Sequence, residues 1–291
     1  MCDELTAADN AAYLASPISR RQLGALGGAA GLAMLLSAPA NARPIKGRDV
    51  LIATPDGNAY AYFVAPAAGK HPGVLIWPDI MGLRPAFRQV ADRLAQSGYA
   101  VLVVNQFYRS TKSPFLAPGE SFDQPEVRAK VMPFTKVLSP EGTTRDAKAF
   151  VAFLDAQRQV DKTRGLASTG YCMGGPMVFR TAAAVPGRVR AGATFHGGGL
   201  VGPAPDGPNL LIPKMTAQFL VAIAANDDAK APTDKDVLRT GFAAAKLPAE
   251  VEVYQGTMHG WCPPDSKVYN QPQADRAWAR MLALFDKALD A

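Results

Sequence analysis

The chain has 291 residues, 48% hydrophobic and 19% charged, with a formal net charge of +6. Such values exclude a disordered or fibrous chain and suit one globular α/β unit with a large core. No Lys/Arg run of the kind that tracks phosphates and no Cys/His spacing of a metal site occurs, so neither nucleic acid, metal nor cofactor is expected.

In chain order, Ser19-Arg20-Arg21-Gln22-Leu23 precedes an Ala- and Gly-rich apolar stretch, Gly24 to Ser37, and then the small-residue run Ala40-Asn41-Ala42. This pattern predicts a twin-arginine export signal over residues 1–42, read by the export machinery and cleaved after Ala42, and a periplasmic domain over 43–291. The apolar stretch is too short for a stable membrane span, which needs about 20 residues. Val50–Ala53 and Ala59–Val64, joined through Pro55-Asp56-Gly57-Asn58, predict an opening hairpin. Strands then alternate with helices: Val74–Trp77, a helix near Arg84–Gln96, Val101–Val104, and a helix around Pro140–Ala156. The alternation predicts a mostly parallel central sheet flanked by helices on both faces. Between Tyr108 and Leu138 lies a Pro- and Ser-rich excursion, either a lid over a pocket or an ordinary surface loop. Pro272–Ala288 closes the chain as a helix with apolar residues at helical spacing.

The chemistry centres on Gly170-Tyr171-Cys172-Met173-Gly174-Gly175, between the strand-like run Gly165–Thr169 and the helix-like run Pro176–Ala184. A thiol at a sharp strand-to-helix turn has the form of a nucleophile elbow, which needs small residues two before and two after the nucleophile because backbones crowd there. Glycine stands at both places. The helix N-terminus favours thiolate, and the backbone N–H of Met173 can serve an oxyanion. Cys172 is the candidate nucleophile.

A base must follow, oriented by a carboxylate; in α/β-hydrolase folds the acid comes first and the histidine last. Of the three histidines, His71 reads as a loop residue before a strand. His196, at the end of Ala191–Phe195, can line the site but comes too early. His259, after the strand Val251–Tyr254, has the right place. For the acid, Asp227 and Asp228 follow the strand Phe219–Ala224 and precede a helix over Thr233–Ala245. Asp228 is preferred because Pro232 stands four residues on, with Asp227 the second choice.

With these motifs in place the chain resembles the dienelactone hydrolase family of α/β-hydrolases, over roughly Ile45 to Leu289. The cysteine elbow is the specific signal, since most α/β-hydrolases carry serine there. Pro78-Asp79-Ile80-Met81-Gly82 resembles the family segment whose acidic residue faces the thiol and whose next residue gives a second oxyanion N–H; the resemblance implies Ile80 and Met173 as the pair. Asn105-Gln106-Phe107-Tyr108-Arg109 resembles the segment whose arginine binds the substrate carboxylate, which implies that role for Arg109. Two departures stand out: Asp79 replaces the usual Glu, and no arginine follows His259 in His259-Gly260-Trp261-Cys262-Pro263-Pro264.

The expected activity is hydrolysis of a small ester or enol lactone through a Cys172–His259–Asp228 triad and a thioester intermediate. The alternatives are a non-catalytic periplasmic binding protein and a thiol redox protein using Cys172 and Cys262.

Overall fold

The computed structural model describes residues 4–15, 39 and 41–290. The twin-arginine motif and its apolar stretch lie outside the described residues.

An eight-stranded sheet carries the fold, in the order β1-β2-β4-β3-β5-β6-β7-β8. Its strands are β1 (Ile45–Thr54), β2 (Gly57–Pro66), β3 (Gly73–Trp77), β4 (Ala100–Val104), β5 (Leu166–Tyr171), β6 (Val189–Phe195), β7 (Gln218–Ala224) and β8 (Ala249–Tyr254). The β1–β2 hairpin joins the sheet antiparallel through β2–β4, and every later pairing is parallel. The hairpin strands are longer than the apolar patterning predicts, because β1 is an edge strand whose mostly exposed residues still pair along the whole of β2.

Helices cover both faces, as right-handed crossovers between parallel strands require. The described helices are α1 (Glu4–Ala15), α2 (Pro85–Gln96), α3 (Pro125–Thr135), α4 (Pro140–Asp155), α5 (Gly174–Ala184), α6 (Pro208–Leu211), α7 (Ala225–Lys230), α8 (Asp234–Ala244) and α9 (Gln271–Leu289). On one face Val90 and Leu94 of α2 and Met281 and Phe285 of α9 pack on Ile76, Val103 and Ala191. On the other, Phe150 of α4, Val178 of α5 and Phe242 of α8 pack on Trp77, Leu102 and Phe219. The central strands β3, β4 and β5 are buried throughout, which is why β3 and β4 read as continuous apolar runs rather than alternating ones.

The sheet register aligns the strand ends. Trp77 pairs with Gly170, Tyr171 with Phe195, and Ala224 with Tyr254. Residues that follow β3, β5, β6, β7 and β8 therefore gather at one edge, the carboxyl-end crevice where open α/β sheets bind ligands. No helix among the described residues is long and apolar enough to cross a membrane.

Candidate active site

Cys172 follows β5 directly and has φ +53°, a left-handed conformation that side chains other than glycine adopt at a cost. The strain is held by close packing. A Cβ at Gly170 would lie 2.3 Å from the Gly174 carbonyl oxygen, and one at Gly174 would lie 2.3 Å from that of Trp77. The small residues expected on either side of the nucleophile are thus a steric necessity, and the second contact presses the elbow against the Pro78–Ile80 segment. The Cys172 N–H donates to Phe195 O (3.0 Å), and its carbonyl accepts from Gly175 N (3.0 Å), so the turn is anchored to β6 and to the first turn of α5.

Asp79, Ile80, Cys172, His196 and His259 border one cavity. Met173 stands at the head of α5, beside the thiol. The excursion between Tyr108 and Leu138 forms part of the wall: Ser121, Phe122 and Asp123 line the cavity. Val127 and Val131 of α3 pack against Ile80 and Cys172, leaving the cysteine 1% exposed.

The structure separates the two acid candidates. Asp227 Oδ2 lies 2.8 Å from His259 Nδ1, whereas Asp228 Oδ1 accepts from Lys235 Nζ at 2.6 Å. The expected Asp228 is therefore corrected to Asp227 as the partner of the imidazole. The physical reason is helical: α7 begins at Ala225, immediately after β7, and each step around it turns the side chain by about 100°. One residue along, the carboxylate faces α8 instead of the histidine loop. Asn226 supports the same loop, its Oδ1 accepting from the His259 N–H at 2.8 Å.

His259 is buried, and burial by itself disfavours charge on the ring. The negative charge of Cys172, hydrogen bonds to Asp227 and Cys172 and the Asp227 charge outweigh it and push the pKa up to about 10. A proton kept on the ring through neutral pH favours the thiolate form of the sulfur beside it. Alkylation of Cys172 by iodoacetamide, followed by mass spectrometry of its peptide, is expected to be nearly as fast at pH 6 as at pH 8. In His259→Ala the rate should fall about tenfold per pH unit below the ordinary thiol pKa of about 8.5.

Arg109 does not border the cavity. Its guanidinium bonds both oxygens of Asp146 (2.7 and 2.8 Å) and Asp56 Oδ2 (2.5 and 3.1 Å). The substrate-carboxylate role implied by resemblance is corrected on that ground: Asp146 on α4 and Asp56 in the hairpin turn hold the side chain. Asp79 does reach the cavity, but both its oxygens accept from Arg84 (2.7 and 3.0 Å), and Oδ1 also accepts from Met81 N (2.9 Å). Arg84 bridges on to Asp265 at 2.6 and 2.9 Å.

The cavity is completed by His196, which the sequence already offered as a lining residue, and by a helix that the sequence assigned to the leader. His196 is 1% exposed, and its ring meets that of His259 edge-on with centroids 5.0 Å apart. Helix α1 belongs to the expected leader, yet Thr6, Ala7, Asn10, Ala11 and Leu14 line the cavity mouth. Asn10 Nδ2 donates to His259 O (3.2 Å), and Asp9 pairs with Lys230 (2.5 Å) and accepts from Asn226 (3.4 Å). Lifting such contacts costs on the order of 1–3 kcal/mol. A chain beginning at Arg43 is accordingly expected to show kcat/KM about tenfold higher for bulky esters, measured against the full chain.

No disulfide joins Cys172 to Cys262. They sit in different clusters, Cys172 with Ile80 and Val131, Cys262 packed beside the Tyr171 and Trp261 side of the sheet. Burial pushes the Cys262 thiol well above its ordinary pKa.

A mostly parallel eight-stranded sheet, helices on both faces and an elbow at the carboxyl edge of β5 define the α/β-hydrolase fold. Residues 59–289 match the family model described as "Dienelactone hydrolase family", and the chain belongs to that family. The carboxymethylenebutenolidase of Pseudomonas sp. strain P51 is 31% identical over 129 residues, 44% of this chain and 51% of its own. That of Pseudomonas putida is 24% identical over 230 residues, 78% of this chain and 91% of its own. A solved structure described as a dienelactone hydrolase-like promiscuous phosphotriesterase from metagenomic libraries shares the fold with a TM-score of 0.68 at 22% identity, covering 84% of this chain and 99% of its own. The protein is a hydrolase of that family.

Proposed function

We propose that the protein cleaves small esters or enol lactones through a Cys172 nucleophile, with His259 as proton carrier and Asp227 orienting the ring. The observation that carries this reading is the buried Asp227–His259–Cys172 hydrogen-bonded chain at a strained elbow. The thiolate attacks the carbonyl carbon, and the oxyanion is bound by the backbone N–H groups of Ile80 and Met173. As the tetrahedral species collapses, His259 passes its proton to the departing alkoxide or enolate oxygen, leaving a thioester on Cys172. Neutral His259 then takes a proton from water, hydroxide adds to the thioester, and the acid leaves as the thiolate–imidazolium pair reforms.

Enol esters and enol lactones suit this cycle because the departing enolate is a good leaving group and the released enol tautomerises to a ketone. The test is rapid mixing with p-nitrophenyl acetate. One equivalent of p-nitrophenolate should appear in a burst, with an acetyl adduct on the Cys172 peptide. Absence of both would overturn the proposal.

Export to the periplasm is part of the same reading, supported by Arg20-Arg21 and Ala40-Asn41-Ala42. Retention of an Arg20→Lys, Arg21→Lys chain in the cytoplasm would support it, and unchanged export would overturn it.

A further inference from the structure

His196 closes β6 with φ +42°, its N–H donating to Ala222 O at 2.8 Å, so the backbone of a neighbouring strand fixes the residue. The ring is packed among Tyr171, His259 and Trp261, with centroid distances of 6.2, 5.0 and 6.3 Å. Both ring nitrogens are buried and neither has a hydrogen-bond partner among the described residues, although the ring borders the cavity. A neutral imidazole offers one donor and one acceptor, and leaving either unmatched in a buried site costs about 1–3 kcal/mol. Burial, followed by the charge on neighbouring His259, keeps the His196 pKa well below its ordinary value, so the ring faces the cavity uncharged.

The remaining charged side chains of the wall are mostly acidic. Asp79, Asp123 and Asp265 border the cavity, and the cations against them are already committed: Arg84 to Asp79 and Asp265, Lys267 to Asp123 at 2.6 Å. Three carboxylates and the Cys172 sulfur thus face Arg84, Lys267 and the His259 ring. An incoming carboxylate meets a wall with negative charge to spare, and it has no donor to offer the acceptor nitrogen of His196. An uncharged group with both a donor and an acceptor, such as a carboxamide or a hydroxyl, matches the ring and avoids the repulsion.

We infer that the substrate is an uncharged ester or lactone carrying a hydrogen-bonding group that His196 binds, and that the pocket selects against carboxylate-bearing analogues. The inference rests on the cysteine-hydrolase reading above. It makes His196 a specificity-determining residue that contacts substrate.

The experiment uses the full chain and three enol lactones that carry, at one ring position, a carboxamide, a carboxylate or an isopropyl group of nearly equal size. Ring opening is followed by absorbance in wild type, His196→Phe and His196→Gln. Wild type should favour the carboxamide over both others by about tenfold or more in kcat/KM. The carboxamide-to-isopropyl ratio should collapse toward one in His196→Phe and persist in His196→Gln, where an amide restores donor and acceptor. Ratios do not depend on the fraction of folded enzyme, so a poorly folding variant still reports. Preference of wild type for the carboxylate or the isopropyl lactone would overturn the inference, as would an unchanged ratio in His196→Phe with all three rates falling together. Failure of wild type to give a Cys172-dependent burst with p-nitrophenyl acetate would overturn the hydrolase reading itself, which separates the two failures.

Discussion

Replacing Cys172 with alanine is expected to abolish the p-nitrophenolate burst and to lower kcat by about 10⁴-fold or more, a loss of about 5 kcal/mol in transition-state stabilisation. The magnitude follows from what remains. The proposed backbone donors at Ile80 and Met173 remain, but no nucleophile forms the thioester, and removal of the sulfur withdraws a charge that raises the His259 pKa. Serine at the same position should fare little better. Its hydroxyl is far less acidic than a thiol, so the resting ion pair cannot form, and the larger sulfur fixed the distance to the imidazole. Burst amplitude and single-turnover rates, compared among wild type, Cys172→Ala and Cys172→Ser, check this. A burst that survived in Cys172→Ala would move the nucleophile elsewhere.

The second large effect separates the neighbouring aspartates. Asp227→Asn should lower kcat by about 10²–10⁴-fold, because an amide removes the charge that stabilises the imidazolium and permits the wrong tautomer. Asp228→Asn should change kcat by less than about threefold, the range of a partly exposed ion pair worth at most about 1 kcal/mol. A further signature distinguishes orientation from loss of structure: in Asp227→Asn, Cys172 alkylation at pH 6 should slow, since His259 no longer holds its proton as firmly. Equal effects of the two substitutions would remove Asp227 from the proposed triad.

Much of this architecture was legible in local sequence because local sequence caused it. Gly170 and Gly174 flank Cys172 since no Cβ fits at either place, and the apolar runs of β3 and β4 reflect burial on both faces. The choice between Asp227 and Asp228 was not legible, because it depends on α7 starting at Ala225 with no intervening loop. The Asp-x-x-x-Pro spacing carried no information about that start. Arg109 failed for a different reason: its partners Asp56 and Asp146 lie 53 and 37 residues away, and a motif says nothing about distant carboxylates that claim a side chain. The His196 ring was within reach of a sequence reading as a site-lining residue, but its unmatched nitrogens emerge only once Tyr171, His259 and Trp261 are packed around it.

Helix α1 turns the chain into its own ligand. Because the helix and the cavity mouth belong to one molecule, the occupancy of that mouth is set by an effective local concentration and does not fall when the protein is diluted. Any substrate reaching Cys172 competes with a tethered rival whose grip is the same at nanomolar as at millimolar protein. Severing the tether would convert that standing competition into an ordinary bimolecular equilibrium, in which the released leader with its twelve-residue helix is lost to dilution and the catalytic edge of the sheet is left to whatever ester arrives.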